Sequence, residues 1–306
     1  MNTVVLGASG FLGSAIANSL SRSGHEVTGI SRSRRPASLA ASVRYVQSAI
    51  DDATIMANTL KRAEVVIHAA WDTTPGTSHL QPLLEVSSNL VPGMRLLETL
   101  QSFPQCRLVF ISSGGAVFSN TVPIPYSESA GLWPRSYYGA SKIAMEQMLK
   151  AYCSQTGNSV FVVRPANVYG PGQYPKRSFG VVPTMMECLR LNTSFEIWGD
   201  GKCVRDYLYI EDFEQFTKKL VEHSGESGCY QIFNVGTGVP MSLNNLCETL
   251  ELVSGRNLRR TYVSARPVDL SAVALDPSHS GRVIGWRPGV AIEEGLKRTW
   301  EWYLNH

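Results

Sequence analysis

Short apolar runs alternate with longer amphipathic stretches over the first half of the chain. Residues 3–6, 26–30, 44–46, 65–68, 108–112 and 160–163 form runs of strand length with few polar interruptions. Between them, residues 11–23, 82–103 and 138–155 carry apolar side chains at helical spacing. Near-continuous apolar strands belong to a sheet buried on both faces, and strand–helix alternation makes its strands parallel. Crossovers between parallel strands are right-handed, so the predicted fold class is α/β, a doubly wound parallel sheet. The ligand crevice of such a sheet lies at the carboxyl ends of its strands.

After about Pro165 the pattern changes. Gly170-Pro171-Gly172, short strands and short helices replace the regular alternation. The reading is a sheet domain over residues 1–166 and a smaller mixed C-terminal lobe over 167–306. The apolar run at 231–235 is expected to return to the main sheet as a further strand.

Bulk properties narrow the function classes. A net charge of +3 over 306 residues gives no basic footprint for nucleic acid. Six scattered cysteines without a C-x-x-C pair fit neither a zinc site nor a disulfide framework, and suit a reducing compartment. The first predicted strand begins almost at Met1, and no apolar run reaches bilayer length, so the expectation is a cytoplasmic protein with no membrane partner. The histidines show no metal-ligand spacing, and His68, at a strand end, is read as packed.

Two motifs carry chemistry. Gly7-Ala8-Ser9-Gly10-Phe11-Leu12-Gly13 joins the first strand to the first helix. Gly7 permits a tight turn, Gly10 lets backbone approach a pyrophosphate, and Gly13 lets helix pack close to strand. The helix N-terminus behind them offers unpaired N–H groups to an anion. Tyr138-Gly139-Ala140-Ser141-Lys142 places a phenol and an ammonium on one helical face. A nearby cation favours the phenolate, and such a tyrosine can exchange a proton with a hydroxyl while hydride moves at the same carbon.

With these motifs the chain resembles the extended short-chain dehydrogenase/reductase superfamily, in particular its nucleotide-sugar epimerases, dehydratases and reductases, over nearly its whole length. Val66-Ile67-His68-Ala69-Ala70 resembles the strand end beside the cofactor, and Asn89 the asparagine of the following helix. Val109-Phe110-Ile111-Ser112-Ser113 resembles the strand leading to a catalytic serine or threonine. Arg164-Pro165-Ala166-Asn167-Val168-Tyr169-Gly170-Pro171 resembles the segment between cofactor and substrate sites. Trp198-Gly199-Asp200-Gly201 with Arg205-Asp206-Tyr207 resembles a substrate-lobe hairpin, and Arg266-Pro267-Val268-Asp269 the late arginine loop.

The resemblance implies a Rossmann sheet with a nucleotide-sugar lobe. It implies cofactor contacts from Gly7, Ser9, Gly10, Phe11, Leu12, Gly13, Ser31, Arg32, Arg35, Ala69, Ala70, Asn89, Tyr138, Lys142 and Pro165. Tyr138, Lys142 and Ser113 are its catalytic candidates. Asn167, Arg205, Tyr207, Arg266 and Asp269 are its substrate candidates, with two arginines suited to a diphosphate. A homodimer through helices at 86–100 and 143–152 is also implied.

Three departures stand out. The acidic residue expected after the second strand is replaced by Ser31, followed by Arg32, Arg34 and Arg35, which favours NADP(H) over NAD(H). Ala49 falls where an aspartate contacts adenine, with Asp51 and Asp52 close behind. Gly114 takes the place of the catalytic serine or threonine, leaving Ser113 next in line. The function expected is hydride transfer at C4 of a nucleoside-diphosphate sugar, narrowly as an NADPH-dependent 4-keto sugar reductase. A C4-epimerase is the alternative, and a non-catalytic dinucleotide-binding sensor or scaffold the reading of another class.

Overall fold

The apolar runs become strands covered on both sides. β1 (Asn2–Leu6), β2 (Glu26–Ser31), β3 (Arg44–Gln47), β4 (Val65–His68), β5 (Arg107–Ile111), β6 (Val160–Pro165) and the strand Tyr230–Val235 form one sheet. Its order is Tyr230–Val235, β6, β5, β4, β1, β2, β3. The pairs from β6 to β3 are parallel, with Leu6 opposite both Ile30 and His68, and His68 opposite Phe110. Because β1 lies between β2 and β4, the chain reverses direction across the sheet there. That reversal opens a crevice at the strand ends.

The computed structural model of the chain describes residues 1–118, 123–175, 180–223, 228–265 and 271–306. Met1–Ser113, Ser136–Arg164 and Glu214–Phe233 make one unit; Gly114–Arg135, Pro165–Phe213 and Asn234–His306 make another. The units interleave along the chain, so a single cut at residue 166 does not describe them. Segments distant in sequence complete the sheet unit, since a parallel sheet gains strands by crossover rather than by hairpin.

In the first unit, Val4, Leu6, Val66, Leu108, Phe110, Val160 and Val162 share one core. Helices α2 (Ala53–Leu60), α4 (Val91–Leu100) and α5 (Tyr137–Thr156) add Met56, Leu60, Leu96, Leu100, Met145 and Leu149 to it. The helical stretch expected over 82–103 is interrupted. α3 (Pro82–Glu85) passes into a π-turn at Val86–Leu90 before α4 resumes. Pro92, in the first turn of α4, has no N–H to donate to the carbonyl of Ser88, and the helix widens there.

The second unit holds two small sheets. Val204–Tyr209 lies between Pro240–Ser242 and Asn167–Tyr169, and Phe195–Trp198 pairs with Arg260–Val263. The hairpin expected at Asp200-Gly201 is therefore absent. The chain does turn there, with Gly199 and Gly201 at positive φ, but the strands on either side join different sheets. Among the described residues no helix is long and apolar enough to cross a membrane.

Candidate active site

The glycine turn is shaped by close backbone approach. Gly7 has φ +85°, and a Cβ there would stand 2.7 Å from the Ala70 nitrogen. A Cβ on Gly13 would fall 2.1 Å from the Gly7 carbonyl oxygen, so α1 (Phe11–Arg22) rests directly on the turn. Gly10 is the N-cap of α1 and contributes no side-chain cap, which leaves first-turn amides of Phe11 and Leu12 for an anion. A cleft in this unit is lined by Gly7, Ser9, Gly10, Ser31, Arg32, Ala49, Asp51, Ala69, Ala70, Trp71, Asp72, Ser88, Asn89 and Pro92, among others. Backbone crowded to glycine-only distances beside an uncapped helix end fits a dinucleotide pyrophosphate.

The end of the cleft at Ser31 and Arg32 departs from expectation. Ser31 Oγ shares a hydrogen bond with Ser9 Oγ at 2.6 Å, tying β2 to the glycine turn. Arg32 forms an ion pair with Asp72, at the end of β4, and this partner raises the guanidinium's proton affinity further. Arg35 is spent elsewhere: its guanidinium donates to the carbonyls of Val43 (2.8 Å), Leu39 (3.2 Å) and Ala40 (2.5 Å), bracing its own loop. Asp52 caps α2 by accepting from Ile55 N at 3.0 Å, while Asp51 pairs with Arg95 at 3.1 Å. Asn89 lines the cleft with its polar atoms occupied. It accepts from Asp72 N at 2.8 Å and donates to Thr73 Oγ1 at 3.0 Å and Glu85 Oε2 at 2.9 Å.

At the other end stands α5. Ser136 caps it, accepting from Gly139 N at 3.1 Å, and Gly157 closes it in the left-handed region. Tyr138 is partly covered, and burial pushes its phenol up to about 12, opposed by a hydrogen bond from Ser113 and reinforced by Glu85. Desolvation of the phenolate, rather than the expected lowering by Lys142, sets the direction. Ser113 is thus the hydroxyl beside Tyr138. Gly114 is closed to that role: a Cβ there would meet Leu275 Cδ1 at 2.4 Å and the Pro165 carbonyl oxygen at 2.9 Å. That carbonyl also accepts the Gly114 N–H at 2.8 Å.

Lys142 is 3% exposed. Its Nζ donates to the Ile111 carbonyl at 2.8 Å and lies 3.8 Å from the Trp71 ring centre, 4.8 Å from Phe110 and 5.7 Å from Tyr138. Burial lowers its pKa to about 7, against the pull of Glu146 and Glu85. His68 beside it is buried with both ring nitrogens unpartnered; burial first, then the Lys142 charge, lowers its pKa to about 3. It is a packed neutral ring, 5.4 Å from Phe110.

One turn further, Glu146 binds Arg164 through Oε1 (3.1 Å) and Oε2 (2.5 Å), and accepts from Ser112 Oγ at 2.5 Å. Glu85, Trp71, Asp72 and Glu146 were not singled out from the sequence. Only Glu146 carried a signal, standing four residues after Lys142 on the same face.

In the second unit, Asn167 and Tyr207 face each other in parallel register, and Asn167 Nδ2 donates to the Asp206 carbonyl at 3.0 Å. Arg205 precedes Tyr207 on the same strand, partly covered, donating to the Val204 carbonyl at 2.8 Å. Tyr207 is buried, which raises its pKa while Arg205 opposes. Asp206, on the opposite face, accepts from Thr237 N and Oγ1, Gly238 N and Leu275 N, and so gathers two loops. Arg266 and Asp269 lie outside the described residues.

A crowded glycine turn on a parallel sheet, with Ser113 after β5 beside Tyr138 and Lys142 of α5, defines a class. The model of the NAD dependent epimerase/dehydratase family matches residues 3–236, and the chain belongs to that family of enzymes. Among individual relatives, the UDP-glucose 4-epimerase of Mycolicibacterium smegmatis is 32% identical, over 100% of this chain and 99% of that protein. A dTDP-4-dehydro-6-deoxy-D-allose reductase of a Streptomyces species is 30% identical over 99% of this chain and 96% of its own length. The crystal structure of the Thermotoga maritima UDP-glucose 4-epimerase with UDP-glucose matches 100% of this chain and 99% of that one, with a TM-score of 0.92 at 30% identity.

Proposed function

We propose that this chain moves hydride at C4 of a nucleoside-diphosphate sugar, with Tyr138 exchanging the proton of the sugar hydroxyl. The observation that carries this reading is the hydrogen bond between Ser113 and Tyr138, with buried Lys142 one turn along the same helix. Two adjacent hydroxyls can share one substrate oxygen, the phenol as acid and base and the serine as its orienting partner. Gly7, Gly10 and the first turn of α1 would hold the pyrophosphate of a dinucleotide, and Trp71 and Lys142 its other end. The bound dinucleotide supplies the hydride acceptor and donor. In the second unit, Arg205 and Asn167 suit the sugar nucleotide's phosphates.

Between the two enzymatic readings, we favour the C4-epimerase over the reductase that the basic loop suggested. Arg35 is held by backbone carbonyls, and Arg32 stands against the Asp72 carboxylate, whose negative charge opposes a 2′-phosphate. That supports a retained NAD over consumption of NADPH. The test uses uridine- and thymidine-diphosphate hexoses without reductant, then their 4-keto-6-deoxy forms with NADPH. Interconversion of gluco and galacto forms without net coenzyme change supports the epimerase. Stoichiometric NADPH loss in the second arm overturns it in favour of the reductase. Silence in both turns attention to the non-catalytic reading.

A homodimer is part of the same proposal. Leu83, Val86, Val91 and Met148 stand 40–75% exposed along α3, the π-turn, α4 and α5. Val91→Glu with Met148→Glu should lower the mass measured by sedimentation to that of one chain.

A further inference from the structure

Glu85 ends α3 and is 2% exposed. Its Oε2 accepts from Ser141 Oγ at 2.7 Å and from Asn89 Nδ2 at 2.9 Å, while Oε1 is buried without a partner. No ion pair of the described residues includes it. A carboxylate buried without a cation is costly to the fold and calls for a reason.

The surroundings of Lys142 supply one. From its own helix it is faced by Glu146 and Tyr138, from β4 by neutral His68, and from the strand ends by the rings of Trp71 and Phe110. Glu146 is already neutralised by Arg164 on β6 and bonded to Ser112. Among these groups Glu85 is the negative charge without a cation of its own. It acts on both members of the pair, since its charge holds protons on Lys142 and on Tyr138.

We propose that Glu85 is a positioning residue for the proton-transfer pair, a buried counter-charge to Lys142 whose carboxylate is bonded to Ser141 and Asn89. The inference rests on reading Tyr138 and Lys142 as that pair. Ser141 stands between them in sequence, so its bond to Glu85 ties α3 to the turn of α5 that carries both. Without Glu85 the ammonium would give up its proton at lower pH, and the phenol likewise.

Glu85→Gln is the direct test, because its amide oxygen can still accept from Ser141 and Asn89 while the charge is gone. The protonation of Lys142 is followed by NMR of the ligand-free, 15N-lysine-labelled chain, its signal assigned by loss in Lys142→Met. The titration midpoint should move down by roughly one pH unit in Glu85→Gln. It should return toward wild type in Glu85→Asp and stay in place in Ser141→Ala, which removes the bond but keeps the charge. In turnover, the alkaline fall of kcat should move by the same amount with KM for the sugar nucleotide unchanged. Equal midpoints in wild type and Glu85→Gln, or an equal movement in Ser141→Ala, would overturn the proposal and leave Glu85 a structural anchor. Should Glu85→Gln fail to fold, Glu85→Asp and Ser141→Ala still decide between charge and bond. If no sugar nucleotide is turned over but the midpoint moves, the counter-charge stands and the hydride-transfer reading is the one that fails.

Discussion

At one end of the cleft, Arg32 and Asp72 meet with side chains 65% and 34% exposed. Behind Trp71, a lining residue of the same cleft, Lys142, Glu85 and Glu146 are 3%, 2% and 0% exposed, and His68 is 1%. Both places hold opposite charges: Arg32 and Asp72 follow β2 and β4, while Lys142 and Glu146 stand on α5 and Glu85 on α3. In the first, water and salt screen the pair, so it contributes about 0–1 kcal/mol and can be exchanged at little cost. In the second, each proton has large consequences, because no solvent is present to redistribute the charge. Under the proposed function the contrast separates two tasks: choosing a coenzyme by a surface contact, and fixing protonation states by burial.

The contrast predicts large effects at the buried end. Tyr138→Phe keeps the ring and removes the exchangeable proton; turnover should fall roughly a hundredfold or more while dinucleotide affinity holds. Full activity in that variant would remove the phenol from the mechanism. Ser113→Ala should cost turnover about tenfold or more, with little change in KM, since it loses the hydroxyl that orients the reacting oxygen. A rise in KM alone would make Ser113 a binding group only.

His68 tests burial through stability. Its folded pKa is lowered to about 3 from the ordinary 6.5, so the unfolded chain takes up a proton in that interval and the folded chain does not. Stability should therefore fall as pH drops below 6.5 and approach its floor near 3. His68→Phe, which sacrifices no hydrogen bond because neither ring nitrogen has one, should gain about 2 kcal/mol on wild type at pH 5. Urea denaturation at pH 7.5 and pH 5 reads the difference. An unchanged difference between the two pH values would mean that His68 is protonated in the fold.

The smallest effect belongs to the exposed end. Asp72→Asn should free Arg32 and tighten NADPH binding by at most about fivefold, leaving NADH nearly unchanged. Arg32→Ala should reduce NADPH affinity selectively. Coenzyme fluorescence titrations at low and high salt check both, and the Asp72 effect should shrink as salt rises. A change well beyond tenfold would erase the distinction between the two ends.

Strands, glycine turn and Tyr138/Lys142 helix were legible because each rests on local periodicity or fixed spacing. Thr3 to Leu6 runs into Gly7, and Tyr138 to Lys142 is one turn of helix whatever surrounds it. The fate of a long side chain was not legible. Arg32 and Arg35 look alike in sequence, yet one reaches an aspartate some forty residues away and the other folds back onto carbonyls of its own loop. Ser113 and Gly114 were distinguishable only once Leu275 and Pro165 were seen to fill the space over the glycine. The Asp200-Gly201 turn was visible, but which sheet each flanking strand would join depended on partners at 167–169 and 260–263.

The π-turn at Val86–Leu90 carries a further consequence. A π-turn is a helix holding one residue more than its ladder needs, and here the surplus lies between Glu85 and α4. Deleting a single residue from it would restore an uninterrupted helix and, by the usual measure of secondary structure, a more regular protein. It would also turn α3 by about 100° relative to α4, carrying Glu85 away from Ser141 or Asn89 out of the cleft. In this segment the irregular helix is the phase adjuster that lets two faces of one rod serve the same pocket.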